Sequence, residues 1–338
     1  LVIGAGVSGL ALAWKAARSG RQVTVLERNA RIGGCFHSAR QADGFWFEMG
    51  AHTCYNSYTR FLDIVVDVGA VPKMLARGPA RSSFGLLRDG AYQWLTPARI
   101  LLQLDWLEAA LHFPVHALRG KHGQTQEAYW SRLLGHGNYA RLFAPFFAAV
   151  PSQNADAFPA DGPGSLFKKR PRREEFMRSF GFDGGIQVVL DGIAATKGIQ
   201  VETQVQVASL RRDDAGYCVT ASDGRQWQAP LAALATSIDE AGKLARADFP
   251  DLAEAISRIG MVAVDSIGVV LPRERCWMPD LAFLVPVDDI FHSAVSRDPF
   301  PDSTRRAFAF HFKPGLDRAT RIRRMAEVLR VEEAELGD

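Results

Sequence analysis

The chain has 338 residues, of which 47% are hydrophobic and 23% charged, and its formal net charge is +3. This length exceeds that of a usual single core, so two domains are expected, and the weak charge gives no reason to expect a nucleic-acid partner. The four cysteines stand far apart without a C-x-x-C pair. Their spacing argues against a disulfide framework or a metal site and favours a reducing, cytoplasmic compartment.

The first predicted elements form a βαβ unit. Leu1–Ile3 is a short apolar run typical of a strand, Ser8–Ser19 has a helical pattern, and Gln22–Leu26 is a second buried strand. Because the first run already has strand character, we expect the natural N-terminus to precede Leu1. The order of these elements predicts a parallel sheet with a crossover helix, and therefore an α/β fold.

A G-x-G-x-x-G pattern at Gly4, Gly6 and Gly9 joins the first strand to the helix. The first glycine permits a tight turn, the second lets a pyrophosphate approach the backbone, and the third lets helix and strand pack closely. Amides at the helix start favour phosphate groups. Glu27 ends the second strand, where a carboxylate can bind ribose hydroxyls and disfavours NADP. A glycine-rich turn of another α/β protein is the alternative, but it would not require this acid.

The segment Glu27–Gly34 has the pattern E-R-x-x-R-x-G-G, with Arg28, Gly33 and Gly34 among its members. It resembles the signature of FAD-binding oxidoreductases of the flavin amine oxidase superfamily. The resemblance implies FAD as the cofactor, with the acid on the ribose and the G-G loop beside the pyrophosphate. Cys35 departs from the family, which often carries Arg or Lys there.

The segment Gly44–Thr53 resembles the G-F-x-x-D-x-G-x-H block of the same family, with Glu48 in place of the commoner Asp. The resemblance implies that the backbone of Gly50–Thr53, which includes Ala51, passes along the flavin. His52 has two functional interpretations, a flavin contact or a place in the substrate cavity wall. The alternative is a histidine held by its backbone neighbours at a strand end.

Residues 73–180 lose the βα rhythm and are predicted to be mostly helical, with helices at Pro97–Leu111, Gln126–Leu134 and Tyr139–Ala148. The region is rich in aromatic residues. These rings either form ordinary core or provide walls for a flat apolar substrate. The aromatic residues considered for the substrate are Trp94, Trp106, Phe143, Phe146 and Phe147.

Asn154–Glu175 is a predicted loop with five basic residues between Lys168 and Arg173. Its interpretations are a solvated loop, an attachment to an acidic lipid surface as peripheral membrane contact, or attraction of substrate carboxylates. Arg81 is a candidate for binding a substrate carboxylate, with a surface arginine as the alternative. No nucleophile–base pair has diagnostic spacing, so no catalytic residue is assigned.

The βα style returns at Ser179–Gln187, which resembles the S-F-x-x-x-G-G-x-Q block of protoporphyrinogen oxidase-like proteins. A helix to about Lys197 should follow, and then strands at Ile199–Glu202 and Val205–Leu210. The resemblance implies that the backbone of Val207 binds the adenine.

Two further strands and a return to the cofactor are predicted after this. Asp223-Gly224 between Tyr217–Thr220 and Arg225–Gln228 predicts a hairpin. Leu231–Thr236 resembles the family's strand that returns to the cofactor at Thr236.

Strands at Val262–Leu271, Ala282–Val287 and Ala307–Phe312 predict a second sheet, and Asp317–Glu335 predicts an amphipathic helix. The resembled family has a further C-terminal segment that covers the flavin. None is visible before the chain stops at Gly337-Asp338, so residues 331–338 are expected to be a truncated end.

The resemblance thus implies a Rossmann-like FAD-binding domain and a second α+β substrate domain made of a helical insertion and a sheet. The FAD domain would comprise residues 1–72 and 181–241, and the substrate domain residues 73–180 and 242–330. The predicted cofactor-binding residues are Gly4, Gly6, Val7, Ser8, Gly9, Glu27, Arg28, Gly33, Gly34, Cys35, Gly50, Ala51, His52, Thr53, Val207 and Thr236.

The predicted function is an FAD-dependent oxidoreductase that removes a hydride from an apolar, flat or extended small molecule held between the domains. Porphyrinogens, polyenes and amines are the substrate classes that the resemblance implies, with a preference for the protoporphyrinogen oxidase-like branch. Two hypotheses from other classes stay open, a flavin-dependent sugar-nucleotide mutase and a non-catalytic nucleotide-binding protein. The sequence does not predict the oligomeric state.

Overall fold

The predicted βαβ unit opens the chain in the computed structural model, which describes residues 1–50, 53–116, 120–162 and 170–336. The strands within those ranges are β1 (Val2–Ile3), β2 (Val23–Leu26), β3 (Ser38–Arg40), β4 (Trp46–Glu48), β5 (Cys54–Tyr55), β6 (Met74–Ala76), β7 (Phe84–Arg88), β8 (Ala91–Leu95), β9 (Ser179–Phe182), β10 (Ile199–Glu202), β11 (Val207–Asp213), β12 (Gly216–Ala221), β13 (Gln226–Ala229), β14 (Ala233–Leu234), β15 (Asp265–Pro272), β16 (Phe283–Pro286), β17 (Phe291–Ser296) and β18 (Arg305–Phe312).

The helices in the same ranges are mostly short. They are α1 (Val7–Arg18), α2 (Thr59–Asp67), α3 (Pro97–Leu102), α4 (Trp106–His116), α5 (Gln126–Leu134), α6 (His136–Asn138), α7 (Ala144–Ala149), α8 (Gln187–Ala194), α9 (Ile238–Ala245), α10 (Pro250–Ser257) and α11 (Arg318–Leu329). A π-helical turn at Tyr139–Phe143 joins α6 to α7. The chain divides into two compact units, residues 1–76 with 172–261 (unit 1) and residues 77–171 with 262–338 (unit 2).

Unit 1 is built on a parallel sheet of strand order β10-β2-β1-β14. Helix α1 is the crossover between β1 and β2, and it buries Gly9, Leu10 and Ala13 on the face toward the sheet. The helix ends before Gly20, whose φ of +81° is a left-handed conformation that glycine adopts without strain. The α/β fold class is therefore confirmed.

Unit 1 also contains an antiparallel sheet of strand order β11-β12-β13. The predicted Asp223-Gly224 hairpin joins β12 to β13, with Gly224 at a φ of +88°. The strand predicted at Val205–Leu210 is observed two residues later, as β11. Val205 is instead held by a hydrogen bond from its N–H to the carbonyl of Glu27 at 2.8 Å.

Unit 2 is built on a six-stranded sheet of order β15-β18-β17-β16-β7-β8, in which β16 and β7 run parallel. On one face, Phe308, Phe310 and Phe312 pack with Met325 and Leu329 of α11. The opposite face packs on the helical segment in a smaller cluster, which comprises Leu86, Leu95, Ala149 and Val285. The sheet therefore joins chain segments that are far apart in sequence.

A buried ion pair lies at one end of this sheet. The guanidinium of Arg306 donates to both carboxylate oxygens of Asp298, at 2.9 and 2.5 Å, and the two side chains are 2% and 1% exposed. Arg306 also donates to the carbonyls of Met278 and Pro279, and Asp298 accepts from the N–H of Leu281. The charges are thus fully hydrogen-bonded, as burial of an ion pair requires.

Three predicted elements differ from the structure. The helix predicted at Pro97–Leu111 is two helices, because Asp105 caps α4 by accepting from the N–H of Glu108 at 3.0 Å. The helix predicted at Tyr139–Ala148 is interrupted by the π-turn before Pro145, which has no N–H to donate. The helix predicted to reach Glu335 ends at Leu329, because Arg330 adopts a left-handed φ of +56°.

The hairpin β7–β8 was missed, because residues 73–180 were expected to be mostly helical. Its turn is Asp89-Gly90, and both residues have positive φ, +50° and +73°. The Asp-Gly signal that predicted the β12–β13 hairpin was therefore also present here.

Candidate functional site

Two glycines of the first loop allow the backbone to pack closely. Gly4 has a φ of +105°, and a Cβ on it would lie 2.5 Å from the carbonyl oxygen of Ala235 at the end of β14. A Cβ on Gly9 would lie 2.0 Å from the carbonyl oxygen of Gly4. Any side chain at either position would push the loop away from the sheet or the helix, so both glycines are required by the fold itself.

Gly6 differs from the other two, because a Cβ on it would meet nothing within 4 Å. It is the N-cap of α1, and no side chain caps this helix end or places an acid in its first turn. The N-terminal amides at Val7 and Ser8 are therefore available to a ligand, and the positive end of the helix dipole favours an anion there. Gly6 keeps that space open.

Glu27 lies at the end of β2 and is buried. Its Oε2 accepts from the N–H of Ala5 at 2.9 Å, and its Oε1 accepts from the N–H and the side-chain amide of Asn29 at 2.9 and 2.7 Å. A carboxylate has about four acceptor positions, so one remains for an incoming hydroxyl group. The acid is thus held at the cleft by the same loop that would hold a phosphate.

A cleft of about 170 Å³ lies where these elements meet. Seven of the predicted cofactor-binding residues line it: Gly4, Gly6, Glu27, Arg28, Gly34, Val207 and Thr236. Asn29, Gln206, Ser237 and Glu240 also line it and were not predicted. Asn29, Gln206 and Ser237 are next to the predicted Arg28, Val207 and Thr236, so proximity in sequence could have found them. Glu240 lies in the first turn of α9, four residues after Thr236, and had no such signal. The cleft lining does not include Val7, Ser8, Gly9, Gly33, Cys35, Gly50 or Thr53.

The G-G loop packs directly beside the first glycine loop. The N–H of Gly33 donates to the carbonyl of Ala5 at 2.7 Å, and Gly33 and Gly34 both have positive φ. Arg31 holds the loop by donating to the carbonyls of Ile32 and Gly34 at 2.9 and 3.0 Å. The E-R-x-x-R-x-G-G pattern therefore has a structural basis in which its second arginine shapes the loop.

Cys35 and Gly50 approach each other closely. The Cys35 side chain is exposed and free, and its carbonyl oxygen would lie 2.2 Å from a Cβ on Gly50. Thr53 is partly buried, and the two residues between Gly50 and Thr53, Ala51 and His52, lie outside the described residues.

Two sequence blocks meet at Glu48. Its Oε2 accepts from the Ser38 hydroxyl at 2.8 Å, and its Oε1 accepts from the N–H of Ile186 at 2.7 Å. The N–H of Gln187 in turn donates to Ser38 Oγ at 3.1 Å. Burial raises the pKa of Glu48 to about 7, although these hydrogen bonds and Arg40 act in the opposite direction. The G-G-x-Q block and the G-F-x-x-E block thus form one polar network behind the G-G loop.

Two of the basic residues considered for anion binding, Arg81 and Arg173, contact other groups of the chain. Arg81 donates to the carbonyls of Arg77 and Gly78, which holds its own turn. Arg173 pairs with Asp63 at 3.0 Å and with Glu175 at 2.7 Å. Lys168 and Lys169 lie outside the described residues.

The aromatic residues of unit 2 separate into two groups. Phe143 and Phe147 pack on Trp130, with ring centroids 5.6 and 5.9 Å away, inside the helical segment. In a second group (the Phe84 triad), Phe84 of β7 and Phe283 of β16 lie on the six-stranded sheet and Phe146 of α7 packs against them, with centroid distances of 4.9 to 6.1 Å. The rings of both groups are half-buried, whereas Trp94 and Trp106 are exposed. The Phe84 triad is the group that packs on a face of the sheet.

The same sheet face carries polar groups further along. Val295 of β17 pairs with Phe283 of β16 and with Ala309 of β18. Ser293 and His311, two residues away on β17 and β18 respectively, pair with each other and therefore lie on the same face as Phe283. The His311 Nδ1 lies 2.8 Å from Ser266 Oγ, and burial with nearby His292 lowers the pKa of His311 to about 4. The Ser293 hydroxyl is buried without a hydrogen-bond partner. The face therefore combines an aromatic end with a neutral polar end.

The cleft of unit 1 fits a dinucleotide. It offers an uncapped helix N-terminus, a bare glycine backbone and a buried acid at the end of the second strand, which are the groups that bind a pyrophosphate and a ribose. Within the described ranges, no group of three or more His, Cys, Asp and Glu side chains could hold a metal ion. None of the helices described is long and apolar enough to cross a membrane. Fold and site together define a dinucleotide-binding α/β protein.

Comparison with known proteins gives the family. The model of the flavin-containing amine oxidoreductases matches residues 7–310, so the chain belongs to this family. The predicted family and FAD as its cofactor are therefore confirmed.

Individual relatives match this chain either over a short segment or at low identity. The chain is 51% identical to the 4,4'-diapophytoene desaturase (4,4'-diaponeurosporene-forming) of Staphylococcus aureus over 49 residues, which is 14% of this chain and 10% of that protein. Two solved structures share the fold at 16% identity. A candidate protoporphyrinogen oxidase from Exiguobacterium sp. 255-15 has a TM-score of 0.75, with 98% of this chain and 82% of that chain covered. Cyclohexylamine oxidase from Brevibacterium oxydans has a TM-score of 0.67, with 99% and 81% covered.

Proposed function

We propose that this protein is an FAD-dependent oxidoreductase that removes a hydride from an apolar, flat or extended substrate of the porphyrinogen, polyene or amine type. FAD supplies the hydride acceptor, so the chain's own residues need only bind, orient and exclude water. The observation that carries the substrate class is the Phe84 triad, in which two half-buried rings on one sheet face of unit 2 contact a third ring on α7. Such a wall binds a flat apolar molecule by stacking and desolvation.

On the cofactor side, the proposal assigns the pyrophosphate to the first loop and the start of α1. Gly6 would keep the backbone accessible, and Val7, Ser8 and Gly34 would offer main-chain amides. Glu27 would accept from ribose hydroxyls. Val207 and Thr236 would line the adenosine and pyrophosphate part of the cleft, as the family resemblance implies.

On the substrate side, we assign residues 77–171 and 262–338 to the substrate domain. The Phe84 triad would bind the apolar body of the substrate, and the polar end at Ser293 and His311 would fix its orientation. Because the pKa of His311 is lowered to about 4, its imidazole would be neutral at physiological pH and would act by hydrogen bonding. A neutral polar end suits a substrate whose group beside Ser293 and His311 is uncharged.

The test uses the full-length protein, purified with its flavin. Anaerobic addition of a porphyrinogen, a polyene and a hydrophobic amine should bleach the flavin absorbance with one of these substrates. Phe146→Leu should raise KM for it several-fold, whereas Phe143→Leu, a matched change in the ring group on Trp130, should leave KM unchanged. Flavin content should be equal in both variants.

Other outcomes would contradict the proposal. Turnover confined to a small, highly polar substrate would show that the aromatic wall has no part in binding. Turnover of a sugar nucleotide only after reduction by dithionite would favour the mutase hypothesis. A flavin-free protein that still binds nucleotide would favour the non-catalytic hypothesis.

A further inference from the structure

Helix α4 has its polar and apolar sides reversed relative to a water-facing helix. Its large apolar residues point outward: Leu107 is 74% exposed, Leu111 70% and Val115 67%. Its acid points inward, where the Glu108 carboxylate accepts from the N–H groups of Gly137 and Asn138 at 2.7 and 2.9 Å. A surface helix of a globular protein has the opposite arrangement.

The helical period shows how wide the apolar side is. At about 100° per residue, one arc of roughly half the circumference carries only apolar side chains, and the other carries Glu108, Ala109, His112 and His116. The outward arc consists of Trp106, Leu107, Ala110, Leu111, Phe113, Pro114 and Val115. Helix α3, separated from α4 by three residues, also exposes Leu101 and Leu102, the latter by 80%. We call this set the α3–α4 surface.

An apolar surface of this extent marks a binding site, because monomeric proteins rarely leave one in water. Helix α4 has 11 residues, and a helix of that length is roughly 16 Å long, about half the hydrocarbon thickness of a bilayer. It therefore suits a position in the plane of the membrane interface, where amphipathic helices bury one face. Trp94 and Trp106 are both exposed, and tryptophan is the residue enriched at that depth.

The charges near the α3–α4 surface indicate which partner it fits. Exposed Arg99 stacks on Trp94, with the guanidinium 4.9 Å from the ring centroid. The acids of α4 and its cap, Glu108 and Asp105, accept from main-chain N–H groups. A cation beside an apolar surface complements anionic lipid headgroups, whereas a second copy would bring the same cation.

We propose that the α3–α4 surface docks this protein on the interface of an anionic lipid bilayer without crossing it. This inference goes beyond the proposed oxidation of an apolar substrate and does not depend on it. It also rests on other residues than the Lys168–Arg173 segment, since it uses the exposed side of α3 and α4. Docking would place the protein at the lipid bilayer, in which apolar molecules dissolve.

The test is co-flotation of the flavin-loaded, full-length protein with phosphatidylcholine vesicles that contain or lack phosphatidylserine. The protein should float with the anionic vesicles, and its tryptophan fluorescence, to which the exposed Trp94 and Trp106 contribute, should shift to shorter wavelength. Leu107→Glu combined with Leu111→Glu should reduce binding more than roughly tenfold, because two large apolar side chains are lost from the buried face. Leu252→Glu, an exposed leucine of α10 in unit 1, is the matched control and should bind as the wild type does.

The remaining outcomes decide against the proposal. Absence of flotation, equal binding to neutral vesicles, or unchanged binding of the double variant would each overturn it. Concentration-dependent dimers in sedimentation, abolished by the double variant without any vesicle binding, would identify a second copy as the occupant. Equal flavin content and melting temperature in all variants verify folding, and turnover of a soluble substrate tests the proposed function separately.

Discussion

The backbone N–H of Ala5 donates a hydrogen bond to Oε2 of Glu27 at 2.9 Å. This bond joins the loop after β1 to the carboxyl end of β2, in the interior of unit 1. The acid predicted for the ribose therefore also shapes the loop predicted for the pyrophosphate. The proposed ribose contact and the geometry of the loop therefore depend on the same side chain.

Gly6→Val should remove FAD without unfolding the protein. Its φ of −69° is accessible to valine, and a Cβ there meets nothing within 4 Å, so the side chain would occupy the space proposed for the pyrophosphate. The flavin-to-protein absorbance ratio of the purified variant measures the effect. Gly260→Val, at an exposed glycine that also has open space around it, is the control and should keep its flavin. A fully yellow Gly6→Val protein would refute the assignment.

Glu27→Gln should weaken FAD binding by roughly 10- to 100-fold, because hydrogen bonds to a charged acceptor contribute about 1.5–3 kcal/mol. The amide can accept from only one of Ala5 and Asn29 and its NH2 faces the other donor, so the apoprotein should also lose about 1–3 kcal/mol of stability. Titration of apoprotein with FAD, followed by flavin fluorescence, gives the dissociation constant. Glu202→Gln, the corresponding acid at the end of β10, lies outside the cleft lining and should bind FAD normally. Equal affinities for both variants would contradict the ribose assignment.

Asp298→Asn should destabilise the protein by about 3–5 kcal/mol, because it leaves the buried Arg306 charge without its partner. Asp280→Asn is the matched control. Asp280 also faces Arg306, at 3.7 Å, but it is partly exposed, so its loss should cost at most about 1 kcal/mol. Urea denaturation of the two variants measures the difference. Similar midpoints would show that the buried pair contributes little.

Glu48 should make stability fall as pH rises toward neutrality. Its pKa is raised to about 7 in the folded protein, so the stabilisation is complete below its unfolded value of 4.5 and is lost as pH rises through about 7. Between pH 5 and 8 the loss should be on the order of 2–3 kcal/mol. Glu48→Gln, which keeps an acceptor for the N–H of Ile186, should abolish this loss in urea denaturation at the two pH values.

The control for Glu48 is Glu174→Gln, which changes an exposed acid and should keep the wild-type pH dependence. His311 acts with the opposite sign, since its pKa is lowered to about 4 and its contribution is lost as pH falls from about 6.5. The two effects overlap between about pH 4.5 and 6.5 and oppose each other there, so the Glu48 contribution is the difference in stability between the wild type and Glu48→Gln at each pH. An unchanged pH dependence in Glu48→Gln would show that this carboxyl is not the group responsible.

Helices, strands and hairpins were predicted correctly where a sequence pattern of a few neighbouring residues indicates them. The β1–α1–β2 unit follows from its glycines and its apolar periodicity, and the β12–β13 hairpin follows from Asp223-Gly224. The β7–β8 hairpin carries the same signal at Asp89-Gly90 but was overlooked beside helical neighbours. The break between α3 and α4 has a local signal that was overlooked, the cap of Asp105 on α4, and a distant component, the Asn138 side chain that accepts from the N–H of Asp105 at 2.8 Å.

By itself, the sequence determined the dinucleotide loop, the acid at the end of the second strand and the family resemblance, because these depend on backbone conformation and apolar periodicity over short distances. Only the tertiary structure decided which phenylalanine rings pack on a face of the six-stranded sheet and which pack on Trp130. All of them are half-buried phenylalanines, and nothing in their residue type separates the two groups. The tertiary structure likewise decided that Glu48 meets Ser38 and Ile186, and that the apolar side of α4 faces outward. Burial and hydrogen-bond partners of these side chains come from segments far apart in the chain, and short-range patterns carry no information about such contacts.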